Sequence, residues 1–234
     1  MRINITHNIG QVAAQMGVAS KQVAYATAVA LTKTAAKVRD AMPAALDKTF
    51  DRPTPFTRNG TYLVAARRDN LTAEVNFKDI QAKYLRLQAD GGAYQPKAGG
   101  IRLPGNIVLN AFGNIPRGLI AKLKAAAQNG QLSAAIVKRL GVAHNRRKGA
   151  PPIQLFYGVP QGKGWESAPV GIWRRIPGAS GGPGKLVPVI VFSDKPARYK
   201  KRLDMAAIAT PIIAANFSNE FDAALRQALA TARP

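Results

Sequence analysis

The residues able to do acid–base, metal or nucleophilic chemistry are few in this chain, and their spacing serves none of the familiar designs. The histidines are His7 and His144, far apart and without HExxH-like spacing, so neither zinc hydrolysis nor a catalytic triad is indicated. There is no cysteine, which excludes disulfides, thiolate metal sites and cysteine nucleophiles. Of the twelve carboxylates, Asp40, Asp47 and Asp51 sit near the end of a predicted helix. Asp69, Glu74, Asp79 and Asp90 surround a predicted hairpin, and nothing in their order builds a metal-dependent nuclease cluster. Gly178-Ala179-Ser180-Gly181-Gly182 has the letters of a nucleophile elbow. However, Pro177 and Pro183 flank it, and no histidine follows Ser180. Continued through Gly184-Lys185 it fails as a phosphate loop, since Ala179 stands where the first glycine belongs and Leu186 where Ser or Thr is needed. The chain is therefore expected not to be an enzyme, and to need neither a metal nor a cofactor.

Charge is the stronger signal. The 234 residues carry a formal net charge of +22. Between Gly91 and Trp165 there is no Asp or Glu, against eleven Lys or Arg. Such a stretch cannot supply an acid–base pair or a hard-cation cage. It generates a one-signed field suited to a polyanion or an acidic protein. Arg146, Arg147, Lys148, Arg174 and Arg175 are the first candidates for that contact, followed by Lys200, Lys201 and Arg202. Tyr94, Phe112, Phe156, Tyr157, Trp165 and Trp173 are scattered through the basic middle without forming the compact motif of an RRM or cold-shock domain. Any nucleic-acid contact is expected to be to phosphates and non-specific.

These side chains must be positioned by the surrounding elements. Arg2-Ile3-Asn4-Ile5 alternates and predicts a short strand. From Ser20 to about Phe50, Val23, Ala26, Ala30, Leu31, Ala35, Val38, Met42 and Leu46 recur mainly at three- and four-residue steps, predicting a long amphipathic helix. Pro43 is expected to kink or break it near its end. Thr61–Ala66 and Leu71–Lys78 read as a hairpin around Arg67-Arg68-Asp69-Asn70, with Leu71, Ala73, Val75 and Phe77 on the buried face. Lys83–Leu87 adds a short apolar piece, and Gly91–Gly105 is expected as an extended arm or loop. Leu119–Ala127 and Gln131–Leu140 predict short helices, with Lys122 and Lys124 on a polar side. Gln154–Val159, Gly171–Ile176 and Leu186–Phe192 predict strands, the last central despite Pro188. Near the end, Phe217, Phe221, Leu225 and Leu229 predict a helix with an apolar stripe, which Pro211 starts or kinks.

This order predicts an α+β fold: an antiparallel sheet covered by long N-terminal and C-terminal helices. The expectation is one domain over 1–234, with 91–165 as a basic, loop-rich insertion or arm. Met1–Asn8 lacks the apolar core of a signal peptide and no run approaches a membrane span, so no membrane partner is expected.

Several segments in this order resemble the minor tail and tail-completion (neck) proteins of tailed bacteriophages, the group around the lambda minor tail protein Z. They are the alanine-rich helix from Gln22 to Asp40, Tyr84–Gly92, Gly113–Gly118, Gly171–Arg175, Leu186–Phe192, Arg198–Met205 and the closing Phe217–Leu225 helix. The resemblance implies a structural virion protein at the head–tail junction, assembled in the host cytoplasm. It would join tail to head as a homo-oligomeric ring of about six or twelve subunits around the DNA channel. Its partners would be further copies of itself, other neck, connector and tail-tube proteins, and packaged DNA contacted without sequence preference. The alternative left open by charge alone is a stand-alone, non-specific nucleic-acid-binding protein.

Overall fold

A computed structural model describes residues 2–6, 20–141, 153–177 and 184–231. In chain order the elements are β1 (Arg2–Thr6), α1 (Ser20–Thr49), α2 (Pro55–Arg58), β2 (Thr61–Val64), β3 (Thr72–Phe77) and α3 (Asp79–Asp90). Then come β4 (Gly92–Tyr94), β5 (Ile101–Pro104), α4 (Leu119–Asn129), α5 (Ala134–Arg139), β6 (Gln154–Gly158) and β7 (Gly171–Ile176). The chain closes with β8 (Lys185–Ser193), β9 (Ala197–Tyr199) and α6 (Met205–Ala230). The fold is α+β with antiparallel sheets, and the long helices near the two ends of the chain pack together.

The chain forms two compact units. Unit one combines Met1–Gly92 with Arg198–Pro234, and unit two is Ala93–Ala197. The segment 91–165, expected as a loop-rich insertion, thus belongs mostly to a folded unit that runs on to Ala197 and has its own core.

In unit one, α1 and α6 share the main interface. Ala30, Leu31, Ala35 and Val38 of α1 cluster with Ala209 and Phe217 of α6 and with Ile5, Ala73 and Val75 of the sheet. That sheet has the order β1-β3-β2, antiparallel throughout, with Ile3 opposite Val75 and Leu63 opposite Val75. The predicted hairpin is present: Arg67 and Asn70 exchange backbone hydrogen bonds of 2.9 and 3.1 Å. Ala73, Val75 and Phe77 are buried as the alternation requires. A hydroxyl ties the hairpin to α1, since Thr32 Oγ1 donates to Ala28 O and accepts from Ala66 N at 3.1 Å.

Several expectations need correction. Of the alternatives for the two prolines, a break at Pro43 and a start at Pro211 are excluded, since α1 continues to Thr49 and Pro211 lies inside α6. Each proline removes one backbone donor, and packing along the rest of a long helix offsets that loss. Lys83–Leu87 is part of the twelve-residue helix α3 rather than an isolated apolar piece. The stripe on α6 does not run straight: Phe217, Ala224 and Ala228 are buried, while Leu229 is 50% exposed. The 3.6-residue turn drifts relative to a strict four-residue repeat, so the buried face passes from Phe217 to the alanines.

Glu220 joins the two long helices electrostatically. Its carboxylate lies 2.7 Å from Lys37 Nζ and 3.6 Å from Lys33 Nζ on α1, and Lys37 also donates to Asn216 Oδ1 at 2.7 Å. The Lys37 hydrogen bond, helped by the charge of Lys37 and Lys33, holds the Glu220 carboxyl below its ordinary range against the opposing effect of burial.

In unit two the sheet has the order β5-β8-β7-β6, again antiparallel. Leu119, Leu123 and Ala126 of α4 and Ile136 and Leu140 at α5 cover Ile172, Val189 and Ile190. The stretch expected to be an arm supplies β5, an edge strand with Ile101 opposite Ser193 and Pro104 opposite Ile190. β8 is central, as predicted. Its proline is accommodated by a bulge: the register jumps from Ile172 opposite Ile190 to Trp173 opposite Pro188. Beyond β5, Gly105 N donates to Val189 O at 2.9 Å and Asn106 N to Pro188 O at 2.8 Å. A Cβ on Gly105 would stand 2.4 Å from Pro188 O, so glycine is needed for this close approach.

Two predictions follow from these contacts. A lowered carboxyl pKa stabilises the fold above the unfolded value, about 4.3, and that contribution is lost as pH falls through the folded value. Glu220→Gln should lower Tm at neutral pH by about 1–4 °C and give a shallower fall in Tm on acidification than wild type, measured by circular dichroism. Both tryptophans, Trp165 and Trp173, lie in unit two, so fluorescence reports on that unit. Gly105→Ala should destabilise it by about 1–3 kcal/mol in urea unfolding followed by fluorescence.

Candidate polyanion interface

Unit two holds fifteen of the Lys and Arg residues but only Glu166 and Asp194 as acids. The ion pairs among the described residues reflect this division. Lys33 and Lys37 with Glu220, Arg39–Asp40, Arg52–Asp51, Arg58–Asp47, Arg86–Asp90 and Lys201–Asp204 all belong to unit one. The two acids of unit two offset only a small part of its positive charge. Hydrogen bonds from its own backbone N–H and from Gly164 N, the latter at 2.9 Å, hold the Glu166 carboxyl below the usual range.

The candidate cations divide between the units. Arg174 and Arg175 lie on β7 in unit two, while Lys200, Lys201 and Arg202 lie between β9 and α6 in unit one. Arg146, Arg147 and Lys148 fall outside the described residues, as do His7, His144 and the Gly178–Gly182 glycine-serine motif. Arg174 is half-buried and its Nη1 donates to Leu140 O at 2.9 Å, so it anchors the end of α5. Arg175, one residue on, is exposed. Lys200, Lys201 and Arg202 are exposed, with Lys201 Nζ 3.2 Å from Asp204. Their backbone is fixed, because Arg202 N and Leu203 N both donate to Gln88 O, at 2.7 and 2.9 Å, and Leu203 is fully buried. Asp204 also caps α6 by accepting from Ala207 N at 3.1 Å, and that bond is the main cause of its lowered carboxyl pKa.

Sequence reasoning missed a cleft of about 510 Å³ in unit two, lined among others by Arg102, Lys124, Tyr157, Val170, Phe192 and Asp194. Arg102 comes from β5, where it pairs with Phe192 of β8, and Tyr157 comes from β6. Lys124, expected on a polar helix side, is half-buried, with Nζ 4.1 Å from the Tyr157 ring centre and 5.1 Å from that of Phe192. The two rings meet edge to face at 5.9 Å. A second aromatic group stiffens the neighbouring strands. Trp173 donates from Nε1 to Gly158 O, stacks on Phe156 at 6.5 Å and meets Trp165 edge-on at 5.3 Å. Arg102 lay in an expected loop, and only the β5–β8 pairing brings it to Phe192. The sequence signal available was the apolar–basic alternation Ile101-Arg102-Leu103.

Among the described residues no three of His, Cys, Asp and Glu come together to hold a metal, and no helix is long and apolar enough to cross a membrane. Asp69 and Glu74 are not drawn into such a group; Glu74 accepts from Asn76 Nδ2 at 3.0 Å. No protein-family model, curated protein or solved structure matches the chain.

The geometry assigns different roles to two adjacent arginines. Arg174→Gln should lower the Tm of unit two by about 2–8 °C through loss of a charge-assisted hydrogen bond. Arg175→Gln should leave Tm within about 1 °C and act only on polyanion binding, seen as weaker heparin retention. Equal thermal effects would remove the distinction.

Proposed function

We propose that this chain is a structural virion protein of a tailed bacteriophage, acting at the head–tail junction as a tail-completion or neck ring. The observation that carries the proposal is the one-signed charge of a folded unit, with fifteen basic residues against two acids in Ala93–Ala197. Within such a unit the cations have few carboxylates to satisfy them, so their counter-charge must come from ions, nucleic acid or an acidic partner. A ring of identical subunits around a DNA channel supplies that partner along its bore or at its faces, and it repeats one heterologous contact until closed. The order of sequence segments that resembles the lambda minor tail protein Z group supports the same assignment. The exposed apolar side chains Phe56 (55%) and Ile80 (61%), which line one cleft in unit one, offer surface for contacts between subunits or with other neck proteins. In this proposal the protein assembles in the host cytoplasm and resides in the particle. It performs no catalysis, and it meets packaged DNA through phosphates alone.

A second reading, a stand-alone non-specific nucleic-acid binder, is favoured by the Lys124–Tyr157–Phe192 cluster in the same basic unit. Quantitative mass spectrometry of purified particles separates the two. A fixed copy number of about six or twelve per particle is expected for a closed ring. Absence from particles, with abundance in the lysate, would overturn the neck assignment and leave the nucleic-acid reading.

A further inference from the structure

We infer that the cleft between β5, β6, β8 and α4 binds one nucleotide of an unpaired nucleic-acid strand. The phosphate would sit on Arg102 and Lys124, and the base against the Tyr157–Phe192 wall. The inference does not depend on the neck assignment; it rests on the nucleic-acid reading and gives that reading a site.

Three properties of the cleft define its ligand. Its volume, about 510 Å³, is that of a site for a small molecule or a single monomer unit, far too small for a duplex. Its wall is mixed: Ile120, Val159, Val170 and Phe192 are apolar, whereas Arg102 and Lys124 are cationic. A bare inorganic anion would leave the apolar wall unused, and an apolar molecule would strand two cations. A nucleotide matches both parts. Finally, Asp194 also lines the cleft. A run of acidic side chains from a protein partner would bring carboxylates against this one. A nucleotide carries a single phosphate charge, and its base presents amino and imino donors that a carboxylate accepts.

Unpaired bases are preferred over paired ones for a geometric reason. In a duplex each base face is covered by its neighbours, whereas a single strand offers a free π-face to an aromatic side chain. Tyr157 is 43% exposed, so its ring is reachable although Lys124 lies over it. Lys124 is held by both rings, which presents its ammonium to the cleft at reduced entropic cost when a phosphate arrives. The surrounding positive field would concentrate the strand near the opening.

The test is fluorescence anisotropy with labelled oligo(dT), the corresponding dA·dT duplex and an oligo-glutamate peptide as competitor. Tyr157→Ala and Lys124→Met should each weaken oligo(dT) binding about tenfold, and Arg102→Gln, at an exposed edge-strand position, should weaken it severalfold. Lys163→Met, an exposed lysine of the same unit outside the cleft lining, should change it by less than about threefold. Duplex binding should be insensitive to Tyr157→Ala. Circular dichroism of each variant separates site loss from unfolding, and Arg102→Gln keeps the test open if a ring variant misfolds. Unchanged oligo(dT) binding by folded Tyr157→Ala and Arg102→Gln, or equal losses from Lys163→Met and Lys124→Met, would overturn the cleft and leave only a diffuse field. Displacement by oligo-glutamate as effective as by oligo(dT) would assign the cleft to an acidic protein segment. No binding of either nucleic acid by wild type would remove both the cleft inference and the nucleic-acid reading.

Discussion

Everything in unit one depends on the seam between α1 and α6. The helices that form it are rich in alanine, which buries little apolar area per residue and therefore contributes little per contact. Length offsets this weakness: the helices run for 30 and 26 residues, and small side chains allow close approach along the shared face. The sheet then needs only to cover the other side of α1, where Ile5, Ala73 and Val75 complete the core. The two prolines inside these helices are tolerated for the same reason. Each costs one hydrogen bond in a helix whose stability comes from packing along its whole length.

Unit two is held together differently. With two carboxylates against fifteen Lys and Arg, it can satisfy few of its cations by internal ion pairs, and its own field opposes compaction. Its cohesion comes from apolar burial under α4 and α5, from the Trp173 ring group, and from contacts of cations with neutral partners. Arg139 and Arg174 donate to backbone carbonyls, and Lys124 lies over two rings. Such contacts keep the positive charge intact while fixing its position. Ion pairs would have cancelled much of that field.

Much of this architecture was legible in the sequence, because hydrophobic period reports directly on which face is buried. The limits of α1, the β2–β3 hairpin, and strands β6, β7 and β8 follow from it. What remained hidden depends on contacts distant in sequence. Gly91–Gly105 reads as a loop because its glycines and prolines mask Ile101–Pro104, whose strand character exists only through pairing with β8 some ninety residues later. Lys124 reads as a solvated helix residue because sequence spacing does not reveal which strand will place Tyr157 beneath it. Arg174 and Arg175 are equivalent as letters and opposite in role, since one side chain reaches a carbonyl and its neighbour points to water.

The order of the units along the chain has a consequence for synthesis. Unit two is inserted between the two parts of unit one, entering at Ala93 and leaving at Ala197. On the ribosome, all the strands of unit two are translated before any of α6, so the unit begun first is finished last. Until α6 appears, α1 carries a long alanine- and leucine-lined face with no partner helix, while the basic unit downstream is already able to close. The seam between α1 and α6 therefore joins two segments of the chain that are separated by the whole of unit two.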